Sequence, residues 1–249
     1  GFVVLAHDWR GQGLSDRLLL DPLKGHARGW RAFVADARML LDRFAERLPK
    51  PWFGLGHSMG GGLLALSLVE GEDRYAGAIL SAPMLGVRTG QHGPGVVRAA
   101  AMAMSLVGRG SGLPLPTTDP LNERFEATVL THDRRRFERT GALLRAEPSL
   151  RLAGPTWSWL AFAFAARAQA LRPGGPERVS TPVLALLAGD DRLVLNDGAE
   201  RFVARVRDGR ALEFEGAWHE LLMEGDATRS QVWAAMDGFV DALAPAPPG

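Results

Sequence analysis

A serine flanked by glycines is the first chemistry this sequence offers. Gly56-His57-Ser58-Met59-Gly60 follows the short apolar run Trp52-Phe53-Gly54-Leu55 and precedes a second apolar run over residues 63–69. A strand, a sharp turn and a helix in that order lift a hydroxyl above a sheet edge, the layout of a nucleophile elbow. The glycines read as steric necessities: a side chain at Gly56 or Gly60 would collide with neighbouring backbone where helix and strand approach. The helix N-terminus directs N–H groups toward developing negative charge, so the backbone N–H of Met59 is the candidate oxyanion donor.

A serine hydroxyl is a weak nucleophile near neutral pH. It needs a base to take its proton, and the base needs a carboxylate to fix its tautomer and stabilise its charged form. Asp191 stands in Gly189-Asp190-Asp191-Arg192-Leu193-Val194, directly after an apolar run, and His219 stands in Trp218-His219-Glu220. The chain between them accommodates one helix and one strand. Both loops then reach the carboxyl edge of the sheet that carries Ser58, where open α/β sheets place their sites. Ser58, Asp191 and His219 are the candidate nucleophile, acid and base, with Asp190 the alternative acid. His57 lies on the strand and is expected to pack beneath the site. His7, His26, His92 and His132 lack the paired spacing of a metal site, so no metal or cofactor is expected.

The elements that must position these groups alternate. Residues 2–6 form a continuous β-prone run, expected as a strand buried on both faces of a parallel sheet. The loop Asp8-Trp9-Arg10-Gly11-Gln12-Gly13-Leu14-Ser15 follows; it lacks the third glycine and immediate helix of a dinucleotide site and reads as a structural turn near the site's rim. Trp30, Phe33, Val34, Ala37, Leu40, Leu41, Phe44 and Leu48 recur at helical spacing, ended by Pro49 and Pro51. Residues 75–81 make the strand after the elbow helix. From residue 84 to 179 the alternation breaks into helical patterns and Gly- and Pro-rich turns, expected as an inserted helical cap. It resumes with a strand at 182–188, a helix at 197–206, a strand at 211–214 and a last helix introduced at Trp218-His219-Glu220 and reaching about residue 243. The expected organisation is a discontinuous core of residues 1–83 and 180–244, a cap at 84–179 and a tail at 245–249.

Composition bounds the reading. The chain has 249 residues, 46% of them hydrophobic, enough for one large α/β domain. A net charge of +1, from 29 basic and 28 acidic residues, supplies no field to recruit nucleic acid. The absence of cysteine removes disulfides, thiolate metal sites and cysteine nucleophiles together. The longest apolar stretches fall short of the roughly 18 residues a membrane span needs. In the insertion, Trp157, Trp159, Leu160, Phe162 and Phe164 suit either an acyl-chain channel or simple cap core. Arg134, Arg135, Arg136, Arg139, Arg145 and Arg151 suit either phosphate headgroups and an anionic membrane surface or a solvated face balanced by Asp133, Glu138 and Glu147.

Four motifs stand in register: Asp8-Trp9-Arg10-Gly11-Gln12-Gly13, Gly56-His57-Ser58-Met59-Gly60-Gly61, Gly189-Asp190-Asp191-Arg192 and His219-Glu220-Leu221-Leu222. Together they resemble the monoacylglycerol lipase and lysophospholipase branch of the α/β-hydrolases, also called the serine aminopeptidase-like family. The insertion, from Leu130-Thr131-His132-Asp133 through Gly154-Pro155-Thr156-Trp157, resembles bacterial lysophospholipase L2-type members. The resemblance implies an α/β-hydrolase fold with a mostly parallel sheet and helices on both faces. It also implies Ser58, Asp191 and His219 as triad, and a serine hydrolase that cleaves carboxylic esters of a small-molecule lipid substrate, a lysophospholipid or a monoacylglycerol, through an acyl-enzyme. An aminopeptidase-like amide hydrolase and a non-catalytic binder of the same fold are the alternatives. The family carries a His-Gly motif upstream of the D-x-R-G-x-G loop that supplies the second oxyanion N–H, worth about 10²- to 10³-fold in rate. The sequence opens in the strand just before Asp8. The first strands are therefore expected to be missing, and this chain to have little activity alone. A cytoplasmic location, with peripheral membrane contact through the cap, is the accompanying expectation.

Overall fold

The computed structural model describes residues 1–244; the expected tail at 245–249 lies outside the described residues. Its centre is a four-stranded parallel sheet. A short strand β1 (Lys24–Gly25) and helix α1 (Arg31–Phe44) lead to β2 (Trp52–His57), helix α2 (Met59–Val69) and β3 (Tyr75–Ser81). Then come α3 (Pro94–Leu106), α4 (Arg134–Ala146), the two-residue β4 (Gly154–Pro155) and α5 (Trp157–Ala170). The chain closes with β5 (Val183–Ala188), α6 (Asp197–Val203), β6 (Gly209–Phe214) and α7 (Asp226–Leu243). The sheet order is β2-β3-β5-β6, all parallel, so the whole stretch between β3 and β5 is inserted between adjacent strands.

Side-chain alternation along the strands sorts the core into two layers. Ala78 and Leu80 of β3, with Val183, Ala185 and Leu187 of β5, face a cluster shared with α1, α2, α5 and α6. Ile79, Leu184, Leu186 and Ala188 face the opposite cluster, completed by Val232, Met236 and Phe239 of α7. Helix α2 is buried almost all round, which explains an apolar sequence without an amphipathic stripe. Helix α5 belongs to the same packing. Phe162 is 2% exposed and stacks on Phe33 of α1, with ring centroids 5.0 Å apart.

Two expectations are corrected. Residues 2–6 form no strand, and Phe2, Val3 and Val4 are exposed. A strand exists only where a neighbour takes its backbone ladder, and none of the sheet strands pairs with this run. The last helix begins at Asp226 rather than at Trp218-His219-Glu220. A single 3-10 turn, Leu221–Met223, and Gly225 separate it from His219, because the Glu224 carboxylate accepts the N–H groups of Trp218 and Gly225 and folds this stretch into a compact loop.

Candidate active site

The elbow is built by close approach. Ser58 joins β2 to α2 at φ 51° and ψ −117°, a left-handed conformation that a side chain rarely adopts. It is over-determined by hydrogen bonds: the Ser58 N–H donates to Ser81 O at 2.9 Å, and the Ser58 carbonyl accepts from Gly62 N at 3.0 Å and Met84 N at 2.8 Å. A Cβ at Gly56 would lie 2.6 Å from Gly60 O, and one at Gly61 would lie 2.9 Å from Gly56 O. Gly60 departs from expectation, since a Cβ there meets nothing nearer than Trp9 Nε1 at 3.5 Å. The tight helix–strand contact thus falls on Gly56 and Gly61. Met59 is the first residue of α2, where a backbone N–H has no partner within the helix.

Three loops at the carboxyl edge converge on the serine. Ser58 Oγ lies 2.9 Å from His219 Nε2, and His219 Nδ1 lies 2.7 Å from Asp191 Oδ2. His219 and Asp191 are each 2% exposed. The carboxylate requires a proton on Nδ1, which leaves Nε2 as acceptor for the serine hydroxyl. Asp191 is itself fixed, because its Oδ1 accepts the N–H groups of Leu193 at 2.8 Å and Val194 at 2.9 Å. Burial alone would push the Asp191 carboxyl up. The hydrogen bond from His219 and those two backbone N–H groups outweigh it and hold the carboxyl below the ordinary range. The acid on His219 Nδ1 is Asp191 and not Asp190, whose backbone N–H donates to Ala217 O. The acid loop also walls a cavity of about 380 Å³ lined by Arg88, Gly189, Asp190, Asp191 and Arg192.

His57 does more than pack beneath the site. Its Nε2 lies 3.1 Å from Glu220 Oε1, and its ring lies 4.9 Å from that of His219. Burial disfavours its charged form, but Glu220 overcomes this and raises the His57 pKa. Burial likewise raises Glu220, and His57 more than reverses it. Two of the remaining histidines have other partners: His26 Nδ1 meets Thr156 Oγ1 at 3.0 Å, and His132 Nδ1 meets Glu224 Oε1 at 2.9 Å. Among the described residues no group of three or more His, Cys, Asp or Glu is arranged to hold a metal ion, and no helix is long and apolar enough to cross a membrane.

Among the described residues, three of the six insertion arginines form ion pairs. Arg134 pairs with Glu126 and Glu138, Arg136 with Asp133 and Asp226, and Arg151 with Asp119. Helix α3 lies where the sequence shows a helical pattern, but its apolar residues Val96, Met102 and Leu106 are exposed, as are Val107 and Leu115 beyond it, and the sequence reading assigned them no role.

Known proteins resemble the chain over nearly its whole length. The profile of the family described as serine aminopeptidase, S33, matches residues 1–226. Lysophospholipase L2 of Escherichia coli (strain K12) is 33% identical over 267 residues, covering 97% of this chain and 72% of that protein. Monoglyceride lipase of Mus musculus is 26% identical, covering 96% and 73%. Among solved structures, monoacylglycerol lipase of Paleococcus ferrophilus superposes with a TM-score of 0.68 at 23% identity, over 95% of this chain and 82% of that one. A soluble variant of monoglyceride lipase from Saccharomyces cerevisiae, in complex with a substrate analog, gives a TM-score of 0.69 at 19% identity, over 96% and 77%.

Proposed function

Given that the chain belongs to the serine aminopeptidase S33 family and has the α/β-hydrolase fold, we propose that it is a serine hydrolase cleaving the carboxylic ester of a monoacyl lipid through an acyl-enzyme. The observation that carries this reading is the unbroken relay Asp191–His219–Ser58, with both links within hydrogen-bond distance and both partners of the serine buried. As Ser58 Oγ attacks the ester carbonyl, His219 Nε2 takes its proton. Asp191 keeps the proton on Nδ1 and stabilises the imidazolium. The Met59 N–H faces the negative oxygen at the start of α2. His219 then protonates the departing glyceryl oxygen, and water repeats the sequence to free the fatty acid.

The substrate is a lysophospholipid first and a monoacylglycerol second. The L2 relative is named for lysophospholipid hydrolysis. The cavity beside the acid loop adds two guanidinium groups, Arg88 and Arg192, against the single free carboxylate of Asp190, because the Asp191 carboxylate is turned to His219. A phosphate headgroup suits that balance. Residues 84–179, inserted between β3 and β5, act as the cap over residues 1–83 and 180–244, anchored by α5, whose Phe162, Ala163 and Ala166 pack into the core. Phe162 is committed to the core and the half-buried Trp159 packs against it, so Trp157 and Phe164, both half-buried, supply the acyl-chain wall. The exposed apolar face of α3, with Arg98 on the helix and Arg109 just past it, rests on the anionic lipid surface from which substrate is drawn.

The test is labelling with a fluorophosphonate probe beside a Ser58→Ala control, followed by turnover of lysophosphatidylcholine, monoolein and an aminoacyl anilide. Ser58-dependent labelling with ester turnover is the expected result. Labelling that survives Ser58→Ala would sink the mechanism, and faster turnover of the anilide would replace the lipid ester with a peptide substrate.

A further inference from the structure

The loop that carries His219 is held from the insertion side by a dense set of contacts that the catalytic chemistry does not require. The Glu220 N–H donates to Leu130 O at 2.9 Å, and Thr131 Oγ1 donates to Met223 O at 2.6 Å. His132 stacks on Trp218, the neighbour of His219, with ring centroids 3.8 Å apart. Arg136 donates to Glu224 O at 2.7 Å and pairs with Asp226 at the start of α7. Thr131 is wholly buried and Glu224 is 2% exposed, so these are built contacts and not surface encounters.

Glu224 is the centre of the set. Its Oε1 faces Trp218 N at 2.8 Å and His132 Nδ1 at 2.9 Å. Its Oε2 faces His132 N and Gly225 N, both at 3.3 Å. Two groups on the insertion side and two on the histidine loop therefore share one carboxylate. A carboxylate is acceptor-only when ionised, with about four lone-pair sites, and here each oxygen meets at least one backbone N–H.

We propose that residues 130–136 of the insertion latch the histidine loop, and that Glu224 is the positioning residue through which the latch sets the height and rotation of His219. The proposal rests on the reading of Ser58, Asp191 and His219 as the triad. The physical reason is geometric: attack needs the base within hydrogen-bond reach of Ser58, and small displacements of a supporting shell cost large factors in rate. The loop has no strand or helix of its own between β6 and the 3-10 turn, so the backbone beside His219 takes its position from the residues that grip it. An insertion that shifts as a body then acts on the base directly, without touching Ser58.

The variants Glu224→Gln, Thr131→Val and His132→Ala test this. In Glu224→Gln the new NH₂ faces a backbone N–H at either oxygen, so the amide cannot replace the carboxylate. Active sites are titrated with a fluorophosphonate probe, and kcat and KM for 4-nitrophenyl butyrate are expressed per titrated site. Glu224→Gln is expected to lower kcat per site by about 10- to 100-fold with KM within about threefold, and His132→Ala by a smaller factor. The double variant Glu224→Gln with His132→Ala is expected to fall no further than Glu224→Gln alone, because both act through one chain of contacts. A merely structural role would reduce the number of titrated sites and leave kcat per site unchanged. That result, or losses that multiply in the double variant, overturns the latch. Should Glu224→Gln fail to fold, Thr131→Val and His132→Ala decide the matter alone, since the half-exposed His132 leaves no closed cavity. Failure of the triad reading is separately visible as wild-type protein that does not label at Ser58, and it removes the latch with its premise.

Discussion

Replacing Asp191 with asparagine separates the two acidic candidates and tests the relay at its buried end. The direction follows from the hydrogen bonds. Asp191 Oδ1 accepts two backbone N–H groups, from Leu193 and Val194, while Oδ2 accepts only His219 Nδ1. An amide NH₂ in the Oδ1 place would confront two donors, so asparagine must keep its oxygen there and turn its NH₂ to His219. Nδ1 then becomes the acceptor and the imidazole proton moves to Nε2, where it points at Ser58 Oγ. The base is left in the tautomer that cannot accept the serine proton. At the same geometry in another serine hydrolase such a change costs about 10⁴ in kcat, or ~5.5 kcal/mol at 1.36 kcal/mol per decade. Side-chain volume is unchanged and the backbone donors remain satisfied, so the variant folds. The assay is the rate of fluorophosphonate labelling and ester turnover per folded protein, with Asp190→Asn in parallel. Labelling of Asp191→Asn within tenfold of wild type, with Asp190→Asn disabled, would refute the argument and move the acid to Asp190.

Three further outcomes follow from the geometry. Gly56→Ala should abolish labelling and lower the unfolding midpoint, because its Cβ meets rigid backbone at 2.6 Å, whereas Gly60→Ala should label within about threefold of wild type; equal effects would contradict the packing. Phe162→Ala should destabilise the protein by about 3–5 kcal/mol in urea unfolding, and a loss below 1 kcal/mol would mean that α5 is not part of the core. The His57–Glu220 pair should stabilise the fold only within a pH window. The Glu220 pKa is lowered, so its contribution is complete above the ordinary value near 4.5 and is lost as pH falls through the folded value. The His57 pKa is raised, so its contribution is complete below the ordinary value near 6.5 and is lost as pH rises through the folded value. Wild type minus Glu220→Gln, measured by urea unfolding, should peak between these limits, and a flat difference from pH 4 to 9 would refute the pairing.

What the sequence discloses here depends on how local the signal is. Ser58 is legible because an elbow writes its constraint into adjacent residues, and α1, β3 and β5 are legible because periodicity is local too. Asp191 and His219 are legible through order along the chain, each following a strand. The latch is not, because Thr131 and His132 find Met223 and Glu224 across 92 positions. A buried glutamate in a helix-entry sequence looks like any solvated one. Gly60 escapes sequence reasoning for a related reason: a glycine's neighbours in space decide whether a side chain fits, and Trp9 leaves room over Gly60 while Gly56 and Pro83 close over Gly61 and Met84 over Gly62. Residues 2–6 have the composition of a strand, but β structure needs a partner that composition cannot supply.

The backbone conformation of Ser58 has a consequence for anyone selecting this protein for robustness. A non-glycine residue at φ 51° and ψ −117° costs on the order of 1–3 kcal/mol, a strain that glycine would not feel. Thermostability screens that ignore turnover will therefore reward loss of the nucleophile itself, and the hardiest clones are expected to include those in which Ser58 has become glycine. Stability and reactivity are opposed at a single torsion angle, so screening for one must always carry a readout of the other.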